Sequence, residues 1–233
     1  MLRPLVLCLA LAVCPAPAGA QSFTSIFTQL PRDFSRLAQP TSLVILGTAG
    51  AASLAVHPHD DNVAQQVNEA DGFFQAGDLL GEGAVHAAAG FAVYLSGRAL
   101  RNTDVGRLGS DLLRAQIVSG VITDGLKLAT NRTRPDGGKY SFPSGHAASA
   151  FASAAVLHHH FGWKAGVPSY AIASYVATSR VAYDRHFLSD VVFGAGIGLA
   201  SSFATTFHLR DTSIDVTPAL TLSSAAFNIT IRN

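Results

Sequence analysis

The stretch Ser141-Phe142-Pro143-Ser144-Gly145-His146, followed by the small-residue run Ala147 to Val156, decides how this chain is read. A proline, a hydroxyl, a glycine and a histidine stand together just before a segment of good helical character. The free N–H groups and partial positive charge of a helix start favour an anion such as phosphate. Gly145 lets a ligand approach the backbone closely, and Ser144 can cap the helix or donate to an oxygen. His146 adds a group that moves protons near neutral pH. Pro-Ser-Gly is also a common turn, so partners elsewhere in the chain must decide between the two readings.

The flanking sequence reads as an almost wholly helical series. Phe23, Ile26, Phe27 and Leu30 fall on one helical face. Thr41 to Val56 is an apolar helix with small residues at Gly47, Gly50, Ala51 and Ala52. At about 16 residues it stops short of the roughly 18 expected of a spanning helix. His57-Pro58-His59-Asp60-Asp61 resembles a metal site, but the intervening proline and the lack of a third cluster make it a polar loop. Gln75 to Ala99 reads as one helix carrying Asp78, Glu82 and His86, and Leu108 to Thr130 as another with Asp111, Arg114, Asp124 and Lys127. Charges of this kind are expensive in a bilayer core. Ala147 to His160, Val167 to Tyr183 and Phe187 to His208 complete the series, with His158-His159-His160 expected as a solvated helix end. Near the C-terminus, Ile214 to Thr217 and Phe227 to Ile231 alternate apolar and polar residues, the pattern of a short hairpin. The fold expected is all-α, a helical bundle with a short C-terminal β-hairpin.

Residues 1–20 have the layout of a secretory signal: Arg3, the apolar run Leu5 to Val13, and Ala18-Gly19-Ala20 before Gln21. Both cysteines, Cys8 and Cys14, lie inside it, so the processed chain is expected to hold no thiol or disulfide. Without Arg3 the chain balances 15 basic against 15 acidic residues. Nucleic-acid binders normally carry a basic excess, so that class is set aside. The organisation expected is a removed signal over 1–20, N-terminal helical segments over 21–70, a core domain over 71–208 and the hairpin over 209–233. A secreted or periplasmic location follows from the signal, with membrane association left open. The uncharged run Val191 to Phe207 argues for a membrane, while its glycines argue equally for tight packing in a bundle. Asn131-Arg132-Thr133 and Asn228-Ile229-Thr230 match the glycosylation pattern and carry no weight here.

Partners for the central stretch do exist. Arg134 follows Lys127 by seven positions, about two helical turns, and Pro135 marks a helix end with Arg134 at its edge. Downstream, Ser179-Arg180 precedes His186, and Asp190 stands four positions beyond that. If 186–190 is helical, imidazole and carboxylate share a face; if His186 lies in the preceding loop, Asp190 in the first turn still reaches it. Singly, each of these residues has an ordinary surface reading. Together, three cations, a glycine-led helix start and two histidines, one with a carboxylate, provide what metal-free phosphoryl transfer requires.

These three pieces, Lys127 with Arg134-Pro135, then Pro143-Ser144-Gly145-His146, then Ser179-Arg180 with His186 and Asp190, resemble the three-part signature of the type-2 phosphatidic acid phosphatase and vanadium haloperoxidase superfamily, which includes bacterial acid phosphatases. The motifs cover residues 127–190, with flanking helices from about 70 to 208 fitting that family's bundle. The resemblance implies that His186 is the nucleophile and forms a phosphohistidine, oriented by Asp190. It implies that His146 protonates the leaving group, and that Lys127, Arg134, Ser144, Gly145 and Arg180 hold the phosphoryl oxygens. No metal or cofactor is implied, and vanadate is expected as an inhibitor. The substrate expected is a phosphorylated small molecule or lipid phosphate. Two alternatives stay open: a vanadate-dependent haloperoxidase, with vanadate as cofactor, and a non-catalytic helical domain. Oligomeric state has no signature in the sequence. The interval 136–142 is expected to rim the pocket, with Lys139 and Tyr140 in a solvated loop.

Overall fold

Side-chain caps set several helix starts. In the computed structural model, which describes residues 22–67 and 72–207 and the backbone of 213–221 and 224–232, Ser22 accepts from the Ser25 N–H to open α1, Phe23–Arg36. Asn102 accepts from the Asp104 and Val105 N–H groups to open α6, Thr103–Thr130. Between them run α2 (Pro40–Val56), a 3₁₀ turn (His57–His59), α3 (Asp60–Val67), α4 (Ala76–Gly81) and α5 (Gly83–Ala99). After α6 come α7 (Gly145–Phe161), α8 (Trp163–Ala182) and α9 (Leu188–Thr205). Strands β1 (Ser213–Thr221) and β2 (Ser224–Arg232) pair antiparallel, Ser213 opposite Arg232 and Thr221 opposite Ser224. The expected signal segment lies outside the described residues, as do both cysteines.

One helix was expected over 75–99, but the chain breaks at Glu82, whose ψ of 119° is extended. The break separates α4 from α5 and lets α4 lie across the end of the bundle. Its glycines seat it: a Cβ on Gly81 would fall 2.5 Å from Val176 and 2.8 Å from His146. Elsewhere helices meet backbone to backbone through small residues, α5 on α6 at Gly97 and Gly109, and α9 on α7 at Gly194 and Gly198. The core between α6 and α7 is Leu108, Leu112, Ala115, Ala152 and Val156. A second cluster, Ala147, Val181 and Val191, lies among the first turns of α7 and α9 and the last turn of α8.

The expectation for His158–His160 is overturned. His160 Nε2 donates to buried Asp111 at 2.8 Å, His159 meets Thr206 at 2.5 Å and His158 meets Tyr170 at 3.3 Å. Asp111 in turn binds Arg114 at 2.5 Å, and Arg114 binds Asp33 at 2.6 Å and the Thr205 carbonyl at 2.8 Å, all three charged side chains being fully buried. A buried guanidinium needs carboxylates around it, and these draw the histidine in.

By length and composition, Pro40–Gln66 and Leu188–Thr205 are long and apolar enough to cross a membrane. The second is 72% buried and is the bundle's central helix, while the first is only 11% buried and turns Leu43, Val44 and Leu54 outward.

Candidate active site

Helix α6 ends at Asn131, whose left-handed φ of 43° turns the chain while its N–H closes on the Lys127 carbonyl. Lys127 therefore lies in the last turn, and its Nζ stands 3.4 Å from where a Cβ on Gly145 would be. Burial, with the nearby Arg134 charge adding to it, pulls the Lys127 amine below its ordinary range. Arg134 is not at the helix edge, as its spacing suggests, but three residues past the cap. A turn holds it there, with its N–H on the Gly138 carbonyl at 2.8 Å and its carbonyl accepting from Gly137 at 3.0 Å. Its Nε is buried without a hydrogen-bond partner.

The loop then returns to α7 through a cis Phe142–Pro143 bond, with Phe142 stacked on Phe193 of α9. Ser144 is fully buried as the N-cap of α7, its Oγ accepting from Ala147 at a long 3.4 Å. Its own N–H donates to the Asp190 carbonyl at 3.0 Å. Opposite, a Cβ on Gly194 would sit 2.5 Å from the Ser144 carbonyl oxygen, so only glycine allows α9 to approach this close. The anion-favouring start of α7 is thereby locked to the turn that carries His186 and Asp190.

His186 lies in the loop before α9, the second of the two placements left open. Its N–H and that of Arg185 both donate to the Arg180 carbonyl. Its Nδ1 is 2.6 Å from the Ser141 carbonyl, which can only accept, so Nδ1 carries the proton and Nε2 keeps its lone pair. Asp190 stands 3.7 Å from Nδ1, close enough for charge stabilisation but beyond hydrogen bonding. The expected orienting role thus passes to the Ser141 backbone. Asp190 is fully buried and accepts from Ser141 Oγ at 2.5 Å, from the Phe187 N–H at 2.9 Å and from Arg132 at 2.6 Å. Burial lowers the affinity of His186 for a proton, and Lys127 and Arg134 add to this against the opposing pull of Asp190.

Arg180 closes the constellation from the last turn of α8. It is 3% exposed, with Nε on Ser179 Oγ at 3.1 Å and Nη1 on Asp78 at 2.5 Å. His146 points its Nε2 toward the same carboxylate, at 3.4 Å, and toward Glu82 at 3.7 Å; the atom is buried and has no hydrogen-bond partner. Its proton affinity is lowered first by burial and then by Arg180. Lys127, Arg134, Ser144, Gly145, His146, Arg180, His186 and Asp190 therefore gather from α6, α7, α8, the first turn of α9 and the loops before α7 and α9. Lys139 and Tyr140 are exposed, as the solvated-loop reading has it. Among the described residues no three His, Cys, Asp or Glu side chains converge as a metal-ligand set.

Residues outside the motifs support these. Arg132 grips Asp190 and Ser189 with one nitrogen and Asp60 with the other, its guanidinium lying 4.3 Å over the Phe187 ring. Asp60, expected in a polar loop, is 3% exposed and accepts from the Ser189 N–H and Oγ. Arg132 was hidden inside the glycosylation-like triplet, although three cations between 127 and 134 in a charge-poor chain are a usable signal. Asp78 and Glu82 are brought beside His146 by α4 and by the break that follows it at Glu82.

Residues 136–213 match the PAP2 superfamily. Over 96 residues the chain is 40% identical to a lipid A 1-phosphatase of Porphyromonas gingivalis, covering 40% of this chain and 21% of that protein. Over 130 residues it is 32% identical to a lipid A 4′-phosphatase of Helicobacter pylori, covering 51% of this chain and 64% of that protein. The chain thus spans less than two thirds of the length of either relative. The crystal structure of Aquifex aeolicus LpxE superposes with a TM-score of 0.53 at 25% identity, covering 63% of this chain and 93% of that one.

Proposed function

We propose that this chain, whose residues 136–213 match the PAP2 superfamily, is a phosphomonoesterase acting on lipid phosphates through a phosphohistidine on His186, without a metal. The observation that carries this reading is that Lys127 stands over Gly145 at the start of α7 while the Arg180 charge acts on His146 and the Arg134 charge on His186, with His146 Nε2 and Arg134 Nε buried and unpaired. Unpaired buried donors are costly, and an oxyanion satisfies both.

In the first half-reaction His186 Nε2 attacks phosphorus while the P–O bond to the leaving group breaks. The leaving oxygen takes its proton from His146. The three cations, Ser144 and the Gly145 N–H hold the equatorial oxygens as charge shifts onto the leaving group. Positive charge developing on the His186 ring is met by Asp190 at 3.7 Å. In the second half-reaction His146 removes a proton from water, the water oxygen bonds to phosphorus, the P–N bond breaks, and inorganic phosphate leaves.

Two observations support a lipid phosphate as substrate. The outward apolar face of α2 supports association with a membrane. An apolar cavity of about 260 Å³, lined by Phe151, Ala177, Val181, Leu188 and Val191, lies among residues adjacent in sequence to Arg180, His186 and Asp190. The relatives' names point the same way.

The test is hydrolysis of p-nitrophenyl phosphate and of a lipid phosphate in vesicles, with and without chelator. Acid-labile phosphoprotein should be trapped in the wild type and absent in His186→Ala, which should retain background rates only. Full activity in His186→Ala overturns the nucleophile assignment, and loss of wild-type activity with chelator overturns the metal-free chemistry.

A further inference from the structure

The phosphoryl site has cations on its inner side, yet its outer side is acidic. Asp78 and Glu82, with side chains 77% and 53% exposed, stand at the mouth. Carboxylates there work against binding of any anion, so their position needs a compensating role. His146 supplies the clue. Its buried Nε2 has no hydrogen-bond partner and is flanked by Asp78 Oδ1 at 3.4 Å and Glu82 Oε2 at 3.7 Å.

We infer that Asp78 and Glu82 form the leaving-group side of the site and select phosphate esters of neutral, hydroxyl- or amide-bearing alcohols, such as sugars and polyols, over substrates whose leaving group carries further negative charge. The inference rests on the proposed role of His146 as the leaving-group acid. A leaving oxygen within about 3 Å of Nε2 places the next atoms of the leaving group between the two carboxylates. An ionised carboxylate only accepts hydrogen bonds, so it rewards a leaving group that brings donors and repels one that brings charge.

The carboxylates are held in place. Gly77 lets α4 lie directly on Ser179, and Gly81 lets it lie on Val176 and His146, where any Cβ would collide. Arg180 Nη1 fixes Asp78 at 2.5 Å. The same contact means that an entering phosphoryl oxygen must share or take Arg180 from Asp78. This adds to the discrimination against substrates carrying excess charge near the reacting centre.

The experiment compares kcat/KM for three substrates with one phosphoryl group in common: glucose 1-phosphate, butyl phosphate and inorganic pyrophosphate. Each is measured in the wild type, Asp78→Asn and Glu82→Gln. These near-isosteric changes keep size and remove charge, and thermal unfolding confirms the fold. In each variant pyrophosphate should gain about tenfold relative to butyl phosphate, and glucose 1-phosphate should lose about three- to tenfold relative to it. Ratios within twofold of wild type in both variants, or an equal fall for all three substrates, overturn the inference. A wild type that hydrolyses a lipid phosphate in vesicles but none of the three overturns the inference, whereas one that hydrolyses neither overturns the phosphatase reading itself, a distinguishable outcome.

Discussion

Arg132 offers the sharpest test of how the site is held. Its guanidinium joins Asp190 at 2.6 Å, Ser189 Oγ at 2.8 Å and Asp60 at 2.8 Å, so Arg132→Ala strips a cation from two carboxylates whose side chains are 0% and 4% exposed. Removing one partner of a buried ion pair costs about 3–5 kcal/mol. Arg132 is itself 23% exposed, so water can partly take its place. Asp190 also keeps Ser141 and Phe187, and Asp60 keeps Ser189. The lower figure, about 3 kcal/mol, is therefore expected. For a chain of this size that is a fall in Tm of roughly 6–12 °C. Activity should fall as well, because the loosened Asp190 also anchors Ser141, whose carbonyl aims His186. A displacement approaching 1 Å costs about a hundredfold in rate. Arg132→Lys, which keeps the charge but not the fork, should fall between the two. Thermal unfolding and kcat on p-nitrophenyl phosphate read both effects. A Tm within about 2 °C of wild type together with unchanged kcat in Arg132→Ala would refute the reasoning.

Gly194→Ala should be disproportionately harmful for one methyl group, since its Cβ would stand 2.5 Å from the Ser144 carbonyl. Overpacking of this kind costs about 1–3 kcal/mol, and because the strain falls between His146 and His186, kcat should drop more than KM changes. A variant with wild-type kcat would show that α7 and α9 are less tightly coupled than described. Under the proposed mechanism the two histidines also set the pH profile. His186 must be neutral to attack, and burial, reinforced by Lys127 and Arg134, keeps it neutral into the acid range. His146 must be protonated, and burial and Arg180 place its titration below the ordinary 6.5. For an alkyl phosphate, kcat/KM should therefore peak below that value and fall as His146 loses its proton; an optimum above neutrality would contradict the assignment. Stability follows with its own sign. Both histidines bind protons less readily folded than unfolded, so their contribution is intact above 6.5 and is lost as pH falls from there through their folded values. Tm measured across this window should decline toward acid.

Much of the chemistry is legible in the linear sequence because it is written in local patterns. A hydroxyl-glycine-histidine turn before a helix, a cation seven positions before another, and a histidine four before a carboxylate are each resolved within a turn or two of chain. Local rules also place the bounds of α2, since apolar periodicity acts over a few residues, whereas α6, expected from Leu108, starts five residues earlier at Thr103 behind the Asn102 cap. What local rules miss is everything joined through space. Asp60 reaches Ser189 across 129 positions and Arg132 reaches Asp190 across 58, so a polar loop and a glycosylation-like triplet become the frame of the site. His160 looks like a solvated helix end until Asp111, 49 positions away, takes it inside. The opening stretch shows the division most clearly. Its residue types alone point to an anion at Ser144-Gly145-His146. Only packing makes Ser141 the group that aims His186, because a buried imidazole N–H must find an acceptor and the folded chain offers that carbonyl at 2.6 Å, with Asp190 at 3.7 Å.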